Sequence, residues 1–234
     1  MKTFKILSAL LSYPTEELIE ASREFPEILD REAMVPAHLR SPLDRLIGEI
    51  ANGEIYDLQE RYGLLFDRSK TLALHLFEHV HGESRDRGQA MVDLKTLYEN
   101  EGFYISANEL PDYIPLFLEF LSTQPVEASR ELLGQPSHIL AALAGRLEQR
   151  QSNYRAVFDA LVAIASAAPD RTAVDALLTE ADADPVDYQA LDRAWEEEEV
   201  RFGPGAQGQG ACGQEGLIAK LRHVRRAVSP TSHQ

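Results

Sequence analysis

The chain is predicted to be all-α, a single-domain bundle of about nine to eleven helices followed by a flexible Gly-rich C-terminal tail. Three observations predict it. Apolar residues recur at three- and four-residue spacing from Phe4 to near Arg201. Start and stop signals divide these stripes into helix-length pieces. Hydrophobic residues make up 44% and charged residues 26% of the 234, a balance that can bury one sizeable core. The body is assigned to 1–202 and the tail to 203–234.

Phe4, Leu7, Leu10 and Leu11 form the first stripe, ended by Pro14. Thr15 is placed to cap the next helix, with Glu16 and Glu17 in a first turn where the helix dipole favours negative charge. Pro26 breaks that helix and lets a short one run toward Met34. Ser41-Pro42 reads as a fresh start, with the cap at Ser41 and Pro42 at the first helical position. Leu43, Leu46, Ile47 and Ile50 are then its buried face and Asn52-Gly53 its stop. Ile55, Leu58, Tyr62, Leu65 and Phe66 make the next stripe.

Ser69 to Val80 is ambiguous. Leu72, Leu74 and Leu76 alternate as in a strand, while Leu72, Leu76 and Val80 fit a helix face. No neighbouring segment offers a strand partner, so a helix is expected, ended by Gly82. Another follows from Ser84, bearing Met91, Leu94, Leu97 and Tyr98. Leu110-Pro111-Asp112-Tyr113-Ile114-Pro115 opens the next helix. Pro115 must lie in the first turn, where an N–H has no intrahelical partner anyway. Ile114, Phe117, Leu118 and Leu121 face inward. Further helices are expected over 126–133, 137–150, 153–167, 172–181 and 186–201. From Gly203 onward the Gly/Gln-rich run cannot build a core.

A formal net charge of −15 opposes nucleic-acid binding through phosphates and suits a cationic partner. Cys212 is the only cysteine, so neither an intramolecular disulfide nor a thiolate metal cluster fits within one chain. No run has the apolar length of a membrane span. The apolar start runs into Tyr13-Pro14 without the small-residue cleavage site of an export signal. A cytoplasmic protein without membrane insertion is expected.

Three of the seven histidines fall between His75 and His81, and three readings of that stretch stand open. His75-Leu76-Phe77-Glu78-His79 spells H-x-x-E-H. On a helix the two histidines could grip a zinc ion while Glu78 activates water, with Glu119 as a conceivable third ligand. Against this, the chain shows neither a substrate-edging strand nor a large cavity. A non-catalytic metal site from His75, His79, His81 and Glu83 is the second reading, and it requires the helix to end at His79. In the third, His75 and His79 are interior histidines bonded to carboxylates or backbone, with Tyr62, Phe66 and Phe77 in the core.

Four stretches resemble the redox enzyme maturation chaperones, specifically the NarJ-type assembly chaperones of respiratory nitrate reductase. Leu7-Ser8-Ala9-Leu10-Leu11-Ser12-Tyr13-Pro14 is similar to the family's opening helix. Glu60-Arg61-Tyr62-Gly63-Leu64-Leu65-Phe66 resembles its Glu-x-Tyr-x-x-Leu-Phe element, and the run from His75 to Met91 resembles the nitrate reductase branch. Glu109 to Pro115, with Leu118-Glu119-Phe120-Leu121, resembles its Pro-Asp … Glu-Phe-Leu signature.

The resemblance implies an all-helical protein that is not an enzyme and carries no cofactor of its own. It implies binding to the N-terminal, twin-arginine-like segment of the apo catalytic (alpha) subunit, in support of molybdenum cofactor insertion. A groove for such a peptide needs aromatic walls and carboxylates that fork onto guanidinium groups. Tyr62, Phe66 and Phe117 are the candidate walls. Asp112, Glu119, Glu78 and Glu83 are the candidate charges, and His75 and His79 are expected to tune them with pH.

Overall fold

A computed structural model describes residues 1–81, 85–106 and 109–179. Their helices are α1 Lys2–Leu10, α2 Glu16–Ser22, α3 Phe25–Glu32, α4 Ala37–Asn52, α5 Ile55–Tyr62, α6 Glu78–His81, α7 Arg85–Asn100, α8 Ile114–Thr123, α9 Val126–Gly134, α10 Ser137–Gln149, α11 Arg155–Ile164 and α12 Arg171–Leu178. The all-α class holds. Among the described residues no strand forms, and there is one isolated antiparallel bridge, between His75 and Tyr113. Among the described residues there are twelve α-helices, one of which, α6, is a single turn; nine to eleven are expected for the body.

Local chemistry accounts for most boundaries. Thr15 Oγ1 accepts the Leu18 N–H at 3.2 Å, the N-cap its position implies. Pro26 lies in the first turn of α3, and Ala33, left-handed at φ 50°, ends that helix. The start of α1 is capped from a distance: the Glu32 carboxylate accepts the N–H groups of Lys2 (2.8 Å) and Thr3 (2.7 Å) and the Thr3 hydroxyl. Those N–H groups have no acceptor within their own helix. Pro115 sits in the first turn of α8.

The core is built where these helices meet. Helix α1 packs on α8 and α3, α4 on α2 and α11, and α10 on both α11 and α12. Phe4, Leu7 and Leu10 of α1 and Leu11 at its C-cap are fully buried. Ser8 Oγ donates to the Pro115 carbonyl at 2.8 Å, pinning α1 to the head of α8. Arg146, on the buried face of α10, is only 2% exposed. Its guanidinium donates to the carbonyls of Thr71 and Leu177 and so ties α10 to the loop after α5 and to α12.

Two expectations are corrected. Helix α4 does not start at Ser41; it is capped by Pro36 and runs through Pro42. Arg40 explains how the turn before that proline is held. It pairs with Asp30 at 2.9 Å and Asp44 at 3.1 Å and donates to the Pro26 carbonyl at 3.2 Å. The segment 69–80 is not one continuous helix. After α5 the chain makes a π turn at Gly63–Asp67 and a 3-10 turn at Lys70–Leu72, then passes through 73–77 before entering α6. The partner segment missing from the sequence reading exists: Leu76 N–H donates to Asp112 O at 3.0 Å, and Ile114 N–H to Leu74 O at 2.8 Å. Of the alternating leucines, Leu74 and Leu76 flank the bridge at His75, while Leu72 belongs to the 3-10 turn. The helix expected over 186–201, the boundary at 202, the tail, and the roles given to Gly82 and Ser84 lie outside the described residues.

Candidate functional site

The crossing of 73–77 with 110–114 builds the candidate site. Pro111 lacks an N–H and disfavours helix at Leu110, and the chain turns there, with Tyr113 N–H donating to Leu110 O at 3.1 Å. Tyr98 of α7 anchors this turn by donating its hydroxyl to the Pro111 carbonyl at 2.7 Å. Asp112 is thereby placed in the interior with no solvent exposure. Its Oδ2 accepts the Phe77 N–H at 3.0 Å, and its Oδ1 lies 3.3 Å from His75 Nδ1. A buried carboxylate is tolerated only when donors surround it in this way. The hydrogen bond with Asp112 is also the main reason His75 is held above its ordinary pKa, against the opposing effect of burial.

In front of this crossing is a cleft of about 260 Å³. Tyr13, Tyr62, Phe66, Leu74 and Tyr113 wall it, His75 lies on one side, and the exposed acids Asp67 and Glu109 border it. Tyr13 stands edge-on to Tyr62 at 5.5 Å between ring centroids, Phe66 lies 4.9 Å from Tyr62, and His75 stacks obliquely on Tyr113 at 5.4 Å. The Tyr62 hydroxyl donates to the Leu11 carbonyl at 2.9 Å. Having spent its proton, it accepts from the Tyr113 hydroxyl at 3.4 Å. Burial is the first cause raising both phenols, so these walls stay neutral.

Of the residues singled out from sequence, Tyr62, Phe66 and His75 meet at this cleft, with Asp112 buried behind them. The others among the described residues do not line it. Glu78 pairs with Arg87 at 3.0 Å and fastens α6 to α7. His79 donates its Nε2–H to the Ala73 carbonyl at 2.8 Å, closing the segment on itself. Phe117 is buried in α8, Glu119 is exposed on the same helix, and Glu83 is outside the described residues.

The H-x-x-E-H reading needs His75 and His79 on one helix face. His75 instead lies in the bridged segment before α6, and both rings are engaged as above. Among the described residues no three His, Cys, Asp or Glu side chains converge as a metal-ligand group. Sequence reasoning did not single out Tyr13, Leu74, Asp67, Glu109 or Tyr113 as site residues. Tyr13 and Tyr113 sit inside stretches already quoted, next to Pro14 and Asp112. Arg146 was signalled only by a charge on the stripe of Leu140, Leu143 and Leu147.

The family model described as nitrate reductase delta subunit matches residues 32–160, a span holding every cleft residue named above except Tyr13. The chain belongs to the nitrate reductase delta subunit family. It is 39% identical over 225 residues to the nitrate reductase molybdenum cofactor assembly chaperone NarJ of Escherichia coli K12, covering 96% of this chain and 93% of that one. It is 40% identical over 230 residues to the probable chaperone NarW of the same organism, covering 98% and 95%. With the probable NarJ chaperone of Bacillus subtilis the figure is 34% over 165 residues, 69% of this chain and 86% of the relative. Near full-length similarity places the chain with the NarJ-type members of the family.

Proposed function

We propose that this protein is an assembly chaperone for a respiratory nitrate reductase and not an enzyme. It acts in the cytoplasm on the apo catalytic subunit and supports insertion of the molybdenum cofactor, which belongs to the client. Its handle on the client is the N-terminal, twin-arginine-like segment, received in the cleft of Tyr13, Tyr62, Phe66, Leu74 and Tyr113. The observation that carries this reading is the cleft itself: an aromatic trough bordered by Asp67 and Glu109, within a chain similar along nearly its whole length to named assembly chaperones. Aromatic and aliphatic walls suit the apolar side chains of an extended peptide, and bordering carboxylates suit its guanidinium groups. No helix among the described residues is long and apolar enough to cross a membrane, which agrees with action before membrane docking.

The test is complementation. The chain is expressed with its nitrate reductase in a host lacking other chaperones of this type, and molybdenum is measured in the purified enzyme. The expected result is molybdenum-loaded, active reductase with the wild-type chain and poor loading when Tyr13→Ala and Asp67→Lys, both at exposed positions, are combined. Equal molybdenum content with and without the chain contradicts the proposal.

A further inference from the structure

A second cleft of about 480 Å³, with no lining residue in common with the first, has Tyr154 in its wall. The π turn feeds both: Phe66 and Asp67 line the first, Leu64 and Leu65 the second. Between them Tyr154, at the head of α11, packs edge-on against Phe66 at 5.1 Å and against Tyr62 at 6.4 Å.

The chemistry of the second cleft has two halves. On the outside, Asp57 and Glu60 are exposed, and the neighbouring Tyr56 is 80% exposed. An aromatic face beside two carboxylates is the combination that receives a lysine or arginine side chain. On the inside, hydrogen-bond donors are in surplus. Arg61 reaches Glu49 through Nη1 at 3.1 Å, and Asn153 donates to the other Glu49 oxygen. Arg61, whose side chain is 40% exposed and whose guanidinium lies 5.9 Å from the Tyr154 ring centroid, has no hydrogen-bond partner for its inward atoms Nε and Nη2 among the described residues, and neither has the buried Tyr154 hydroxyl. Buried donors of this kind are few in folded proteins and ask for an acceptor. The lining sets Glu49, Asp57 and Glu60 against Arg61 and Arg150, so a simple anion that satisfied these donors would still meet an excess of carboxylate. An extended peptide supplies both halves, its main-chain carbonyls facing inward and a basic side chain facing the border.

We infer that this second cleft binds a basic segment of the client polypeptide. The inference rests on the proposed chaperone function and adds a second contact to it. Because Tyr154 packs directly on Phe66 and Tyr62, a segment seated in one cleft also steadies the wall of the other. Two tethered contacts bind more tightly than either alone.

The test uses the full chain and the apo catalytic subunit. Asp57→Lys with Glu60→Lys is compared with wild type and with Glu127→Lys plus Glu131→Lys, an equal charge reversal at exposed positions of α9. The first pair is expected to weaken binding by about tenfold or more, the scale of one lost charge-assisted contact, while the α9 pair leaves it unchanged. Separately, Tyr56→p-benzoylphenylalanine is expected to photo-cross-link to the client, as is Tyr13→p-benzoylphenylalanine in the first cleft. Wild-type affinity in the Asp57/Glu60 variant, equal weakening by the α9 pair, or cross-links from position 13 alone each overturn the inference and leave the chaperone reading intact. No binding by the wild-type chain overturns that reading, and the inference with it.

Discussion

A carboxylate with no solvent exposure must be held by donors, and Asp112 is held by the Phe77 N–H and by His75. Its part is to fix the crossing under the cleft. Replacing it by Ala leaves a buried N–H without its acceptor and is expected to cost roughly 2–3 kcal/mol, read as a lower urea midpoint. An unchanged midpoint contradicts this role. His75 gives the companion prediction. Its pKa is raised in the folded state, chiefly by the hydrogen bond with Asp112, so the folded chain holds that proton more tightly than the unfolded chain. The stabilisation is fully present below the ordinary value of 6.5 and is lost as pH rises through the folded-state pKa. The stability difference between wild type and His75→Gln should therefore be larger at pH 5.5 than at pH 8. Comparing the two proteins cancels His138, which burial lowers and which therefore contributes with the opposite sign. The same proton makes the cleft less attractive to guanidinium groups. An arginine-bearing client peptide is accordingly expected to bind more weakly at pH 6 than at pH 8 in titrations of the wild-type chain.

Elements differ in how openly the sequence declares them. Thr15 and Pro115 act within one turn of where they stand, and both could be read directly. Pro42 could not, because the turn before it is tied by Arg40 to Asp30 of the preceding helix, a contact from outside its own stretch of sequence. That arrangement gives an element-scale prediction. Pro42→Ala removes an interior helix proline and should raise the unfolding free energy by roughly 1–3 kcal/mol; no gain in urea unfolding would contradict the assignment. The segment 73–77 was hidden for a different reason. Its partner is a short stretch between Pro111 and Pro115, too brief to register as a strand, so the alternation of leucines had nothing visible to pair with. The cleft inherits this pattern. Tyr62 and Phe66 follow from a helix stripe and His75 from its unusual neighbourhood. Tyr113, Leu74 and Glu109 reach the cleft only through the crossing, and Tyr13 only through the packing of the chain's start against α5.

At the scale of the molecule, α1, α8 and the α10–α12 layer form a frame that holds one irregular stretch, from the π turn to α6, against the loop before α8. Arg146 fastens the middle of that stretch, Asp112 its end, and the cleft opens beside them. A chain with a formal net charge of −15 and aromatic, acid-bordered clefts suits the basic peptide proposed above. The most direct measurement is calorimetric titration of the full chain with the N-terminal peptide of its nitrate reductase catalytic subunit, with EDTA present. Saturable binding is expected, lost with a scrambled peptide and weakened when the peptide's arginines become glutamines or when Tyr13→Ala and Asp67→Lys are introduced. No binding to the native peptide, or equal binding to the scrambled one, contradicts the account.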